Sequence, residues 1–163
     1  MTQPPLIFQQ TCATLEDTSR LAATFAGTLA AGDVVALKGT LGAGKTAFAR
    51  GVIGALLGLD TDVPSPTYNL LLTYETDGFA LYHYDLYRLA EPEDAFELDI
   101  EDAFAGEVSL IEWPERLGRY LPPDHLRIEI EPLTPEGEGR RFKFFGNERW
   151  QQRLAALAEN ANA

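Results

Sequence analysis

Eight consecutive residues, Gly39-Thr40-Leu41-Gly42-Ala43-Gly44-Lys45-Thr46, carry the chemistry that stands out first. They fit the pattern GxxxxGK[ST] in full. Glycines tolerate the positive φ angles that turn successive backbone N–H groups toward one point. A helix opening at Lys45 aims its free amides and the positive end of its dipole at that same point. The lysine adds a mobile ammonium for the β- and γ-phosphates, and the Thr46 hydroxyl suits a magnesium ligand. The implied ligand is ATP with Mg2+, held by Thr40, Leu41, Gly42, Ala43, Gly44, Lys45, Thr46 and Ala47. A chance match in a chain of this length is on the order of one in a hundred. The valine-rich stretch before it and the amphipathic stretch after it are what the mechanism requires.

Such a site needs a carboxylate at the end of a neighbouring strand. Val108-Ser109-Leu110-Ile111-Glu112 supplies one, and Leu81-Tyr82-His83-Tyr84-Asp85 supplies a rival. One acid would hold the metal, and the other would orient or deprotonate the attacking water. The catalytic candidates are therefore Lys45, Asp85 and Glu112, and the metal candidates Thr46, Asp85 and Glu112. Trp113 beside Glu112 is either a core residue or a stacking platform. In Ser65-Pro66-Thr67-Tyr68 the hydroxyls of Ser65 and Thr67 suit a loop that senses a terminal phosphate, as well as an ordinary proline turn. His83 is a proton carrier or a hydrogen-bonded packing residue. Arg88 pairs with an acid or with phosphate.

These residues need a framework, and the rest of the chain supplies an α/β pattern. Strands are expected at Leu6–Gln10, Asp33–Lys38, Asn69–Glu75, Phe79–Asp85, Val108–Ile111, Leu126–Glu131 and Arg140–Phe145. Asp77-Gly78 marks a hairpin, and Leu126–Glu131 with Arg140–Phe145 marks a second. Helices are expected over Leu15–Ala30, capped by Thr14 and ended by Gly32, over Lys45–Leu57, over Asp94–Phe104, and after Asn147 with Trp150, Leu154 and Leu157 inward. Asp60–Pro66 and Pro132–Gly139 read as loops. The expected fold is a P-loop NTPase-like three-layer α/β domain over residues 1–163, its mixed central sheet including antiparallel hairpins.

With 163 residues and 45% hydrophobic content, one core is affordable. Lys and Arg number 13 against 25 Asp and Glu, a net charge of −12. That surface repels nucleic-acid backbones as a whole, so a nucleotide must be met by one local cationic niche. Cys12 is the one cysteine, expected as a small buried residue. Neither a leader segment at Met1–Phe8 nor a bilayer-spanning run is read, and the expected location is the reducing cytosol, away from membranes.

Four segments together resemble the TsaE family of YjeE-type ATPases: GTLGAGKT (Gly39–Thr46), SPTY (Ser65–Tyr68), HYDLYRL (His83–Leu89) and EWPER (Glu112–Arg116). The similarity runs from about Thr11 to about Leu121. HYDLYRL followed by EWPER is far more specific than GAGKT. The resemblance implies a bacterial ATPase required for threonylcarbamoyladenosine formation in tRNA, next to the anticodon. It implies TsaD and TsaB as partners, tRNA contacted indirectly through them, and weak hydrolysis by the chain alone. It assigns Lys45 and Thr46 to phosphate and magnesium, Glu112 to the acid of the second strand, and Asp85 to the magnesium site or the attacking water. Ser65 and Thr67 fall on its switch-like segment, and Trp113 on an important aromatic. Tyr68 departs from a frequent phenylalanine. Two other readings use the same loop: a small-molecule kinase, for which Arg140-Arg141 is the only adjacent arginine pair, and a non-catalytic ATP-dependent binding module. Guanine specificity lacks its [NT]KxD segment.

Overall fold

The computed structural model describes residues 3–58 and 63–161. Its strands are β1 (Leu6–Cys12), β2 (Val34–Lys38), β3 (Leu71–Thr76), β4 (Phe79–Asp85), β5 (Val108–Glu112), β6 (Leu126–Pro132) and β7 (Arg140–Phe145). Its helices are α1 (Leu15–Ala26), α2 (Lys45–Leu57), α3 (Ile100–Phe104), α4 (Glu148–Arg153) and α5 (Ala155–Ala161). Two 3₁₀ segments cover Pro92–Leu98 and Pro114–Tyr120.

All seven strands form one sheet, in the order β1-β7-β6-β2-β5-β4-β3. β6, β2, β5 and β4 run parallel, and β3, β7 and β1 join antiparallel at the flanks. Val34–Leu37 of β2 are buried on both faces, as the centre of a parallel sheet demands. One face is packed by α1, α2 and α5 through Phe25, Phe48, Val52, Phe142 and Phe144. The other is packed by α3 and the 3₁₀ segments through Tyr84, Ala95, Ile100, Ile111 and Leu117. The result is a three-layer mixed α/β architecture. The connections from β2 and β5 lead to opposite sides of the sheet, so a crevice opens at the carboxyl ends of the central strands. Open α/β sheets bind ligands at such a switch point.

Several local expectations shift. α1 stops at Ala26 rather than Ala30, because the Thr28 amide and hydroxyl both donate to the Phe25 carbonyl, at 2.9 and 2.7 Å. The helix expected over Asp94–Phe104 is broken at Asp99, which adopts a left-handed φ of 56° between a 3₁₀ segment and α3. The strand expected from Asn69 begins only at Leu71, since Leu70 has φ 66° and its amide returns to the Pro66 carbonyl. The C-terminal helix is two pieces hinged at Leu154, with Asn147 capping the first as expected. Of the expected loop Asp60–Pro66, residues 60–62 lie outside the described residues, and Val63–Pro66 is irregular.

The C-terminal pieces are tied to the sheet by charge. Asp33, just before β2, is 1% exposed and accepts from the Ala30 amide at 2.8 Å, from Arg149 at 3.4 Å, and from Arg153. A buried carboxylate is tolerable only when surrounded by donors in this way.

Candidate functional site

The loop between β2 and α2 takes its shape from glycine. A Cβ on Gly39 would lie 2.6 Å from the Ile130 carbonyl oxygen, so no side chain fits where the loop crosses β6. Gly42 and Gly44 sit at φ 79° and 108°, the left-handed region glycine favours. Gly44 caps α2 without a side-chain hydrogen bond, and the first turn of α2 holds no acidic residue. The helix therefore presents its first amides and the positive end of its dipole to the crevice.

Lys45 is 4% exposed and folds back over the loop. Its Nζ donates to the carbonyls of Gly39 at 2.6 Å and Thr40 at 2.9 Å. It also lies 4.1 Å from the centre of the Trp113 ring. Burial holds its pKa below the ordinary lysine value, while the carboxylates of Glu112, Glu115 and Asp85 pull it back up. An ammonium in that position gains from any further anion.

The acids meet the loop from the sheet. Asp85 and Glu112 end adjacent parallel strands and are paired in register. Glu112, 2% exposed, accepts from the Thr46 hydroxyl at 2.6 Å through Oε1 and pairs with His83 Nε2 at 2.7 Å through Oε2. An ionised carboxylate only accepts, which puts the His83 proton on Nε2. Asp85, 5% exposed, accepts from the Thr67 hydroxyl at 3.0 Å and from the Tyr87 amide at 3.1 Å. Ser65 and Thr67 hydroxyls lie 2.8 Å apart, so Ser65 donates to Thr67 as Thr67 donates to Asp85.

Trp113 has φ 59°, a left-handed conformation rare for an aromatic residue. It is half-buried rather than core, with Tyr87 4.9 Å away centre to centre. Between these groups is a cavity of about 270 Å³, lined by Leu41–Ala47, Thr67, Asp85, Tyr87, Glu112 and Trp113. Thr40 lines a neighbouring cavity of about 590 Å³ and reaches Lys45 through its carbonyl. Ser65 is exposed and stands behind Thr67.

The Thr46 hydroxyl and the Glu112 and Asp85 carboxylates are hard oxygen donors gathered beside the phosphate loop, a set that fits magnesium. Among the described residues no group of three or more His, Cys, Asp or Glu side chains could hold a metal alone. That matches an ion bound by one or two carboxylates with substrate phosphates completing its shell.

His83 takes the hydrogen-bonded packing role that the sequence offered for it, while Tyr87 and Arg140, to which the sequence assigned no part here, stand at the cleft and beside the loop. His83, fully buried, fixes Glu112; the two-residue alternation of β4 puts it on the same face as Asp85. Tyr87 lines the cavity, and its position two residues after Asp85 was the available signal. Arg140 packs against Gly44, a contact between residues 96 apart that nothing local announces.

The model of the family described as "Threonylcarbamoyl adenosine biosynthesis protein TsaE" matches residues 12–142. A protein of Rickettsia felis named "tRNA threonylcarbamoyladenosine biosynthesis protein TsaE" is 47% identical over 118 residues, covering 72% of this chain and 69% of the relative. A Bacillus subtilis protein of the same name is 32% identical over 148 residues, covering 90% and 91%. The crystal structure of Bacillus subtilis YdiB superposes with a TM-score of 0.74 at 26% identity, covering 100% of both chains. The phosphate loop, Thr67, the β4 and β5 acids and Trp113 all fall inside the matched span. The chain therefore belongs to the TsaE family, whose members take part in tRNA threonylcarbamoyladenosine biosynthesis.

Proposed function

We propose that the chain is the ATP-binding and ATP-hydrolysing component of the machinery that forms N6-threonylcarbamoyladenosine in tRNA next to the anticodon, acting with TsaD and TsaB in the cytosol. The observation that carries this reading is the convergence of Lys45, Thr46, Glu112 and Asp85 on one cleft at an open helix N-terminus.

The amides of the loop and Lys45 would hold the β- and γ-phosphates. Thr46 and Glu112 would hold magnesium, which when bound neutralises charge on the phosphate oxygens. Glu112 is the better placed metal ligand, since His83 and Thr46 fix both of its oxygens. Asp85, steadied by Thr67 and the Tyr87 amide, is then the acid that orients the attacking water.

Hydrolysis by the chain alone should be slow. Among the described residues no arginine lines the cavity to meet charge developing on the transferred phosphoryl group. A missing arginine of that kind is worth about 10³–10⁵ in rate. The cleft mouth carries unusually exposed apolar side chains: Leu41 at 76%, Tyr68 at 81% and Tyr87 at 43%. Arg88 stacks on Tyr68 at 4.6 Å. Such a rim suits a protein partner that closes over the nucleotide. The net charge of −12 argues that the partner, rather than this chain, holds the tRNA.

The test is steady-state ATP turnover of the chain alone, then with TsaB and TsaD. At least a tenfold rise in the complex is expected. Equal turnover in both settings, or phosphate transferred to a small hydroxylated metabolite in place of water, would overturn the proposal.

A further inference from the structure

The His83 ring on β4 is 0% exposed, and it does not line the cleft. β4 and β5 run parallel, with His83 opposite Leu110 and Asp85 opposite Glu112. Glu112 therefore meets the ring along a diagonal, Oε2 to Nε2 at 2.7 Å, while its Oε1 accepts from the Thr46 hydroxyl at 2.6 Å. The other ring nitrogen, Nδ1, is buried and has no hydrogen-bond partner among the described residues. The bond to Glu112 is thus the one hydrogen bond the ring makes among them.

That accounting restricts the carboxylate. If Oε2 turned toward the cleft, Nε2–H would join Nδ1 as an unpaired polar group in a fully buried ring, an arrangement folded proteins avoid. Glu112 is therefore held to offering one oxygen, Oε1, on the Thr46 side. Asp85 is engaged in the same sense: Oδ2 accepts from Thr67 at 3.0 Å and Oδ1 from the Tyr87 amide at 3.1 Å. Neither acid can turn both oxygens on one ion without giving up a hydrogen bond, and the bond given up by Glu112 is the buried one. This restriction separates two common divalent cations. Mg2+ takes single carboxylate oxygens in a small octahedron completed by water and phosphate, whereas Ca2+ takes about six to eight oxygens and readily grips a carboxylate through both.

We infer that His83 determines the metal specificity of the site: its hold on Oε2 restricts Glu112 to one oxygen and so favours Mg2+ over Ca2+. His83 is a positioning residue that acts through Glu112. Removing such a supporting partner commonly costs about 10–100-fold in metal affinity. The inference rests on reading Glu112 as the acid that faces magnesium in a nucleotide cleft.

Binding without turnover tests this. Calorimetry on the full chain follows a non-hydrolysable ATP analogue in excess Mg2+, in excess Ca2+ and in EDTA, and is repeated on the H83L and H83Q variants. The unmodified chain should bind at least about tenfold more tightly in Mg2+ than in Ca2+. H83L removes the donor, and the Mg2+-to-Ca2+ ratio should fall by about tenfold. H83Q can place an amide N–H near the Nε2 position, and the ratio should return. A ring that merely packs would lower the melting temperature of both variants and leave the ratio within about twofold of the parent. That result, or an equal loss of the ratio in H83L and H83Q, would overturn the inference. In the unmodified chain the His83 Nε2–H resonance should persist in the Mg2+ complex, a check that needs no variant to fold, and its loss at saturation would also overturn it. Tight binding of equal strength in Mg2+ and Ca2+ sinks this inference alone. An analogue bound in none of the three solutions sinks the nucleotide reading, and this inference with it.

Discussion

Replacing Lys45 with alanine is expected to weaken MgATP binding by at least about 100-fold while leaving the fold in place. The side chain is 4% exposed, so its ammonium meets phosphate with little water to screen it. It has three N–H donors, and two are held by the Gly39 and Thr40 carbonyls. That arrangement fixes the charge at the loop before any ligand arrives, which limits the ordering cost of binding. Burial already depresses the Lys45 pKa, so the free chain carries the ammonium at some cost that a phosphate would relieve. Calorimetric or fluorescent-nucleotide titration of K45A checks the expectation. An affinity within threefold of the parent would mean that the lysine does not face the ligand.

Glu112→Gln is expected to separate binding from hydrolysis. The amide keeps the shape of the carboxyl group, its place between Thr46 and His83, and one carbonyl acceptor. It loses the charge that a metal on the Thr46 side requires. Metal stabilisation of phosphoryl-transfer charge is worth several kcal/mol, so partner-stimulated turnover should drop by about 10³-fold. Nucleotide affinity should change by less than about tenfold, because the amide cradle and Lys45 are untouched. Single-turnover hydrolysis in the complex, measured with a magnesium titration, is the check. Turnover within a few-fold of the parent would move the essential acid to Asp85.

What could be read from the sequence followed from how local each signal is. The shape of the Gly39–Thr46 loop was legible because Gly39, Gly42 and Gly44 dictate their own backbone and the strand and helix flanking them show their periods. Lys45–Leu57, Phe79–Asp85 and Arg140–Phe145 match the observed bounds for the same reason. Asp85 and Glu112 were recognisable as strand-end acids, but their side-by-side register needed β4 to pair with β5. The strand order was illegible, since β1 pairs with β7 across more than a hundred residues, and nothing in LIFQQTC specifies that partner. Breaks at Asp99 and Leu154 also escaped, because tertiary packing overrode a helical apolar spacing. Trp113 read as either core or a stacking platform from its type alone, and only the family resemblance drew it to the site. Its left-handed backbone is set by the turn into Pro114 and exposes one side of the ring to the cleft. The contact of Arg140 with Gly44 depends on the β6–β7 hairpin folding back on the loop.

Isothermal titration of the purified chain with ATP, in magnesium, addresses the central proposition most directly. A saturable heat at one nucleotide per chain is expected, with a dissociation constant within about 1 μM–1 mM. No heat from a chain shown to be folded would contradict a cationic niche at Gly39–Thr46, and with it the whole functional account.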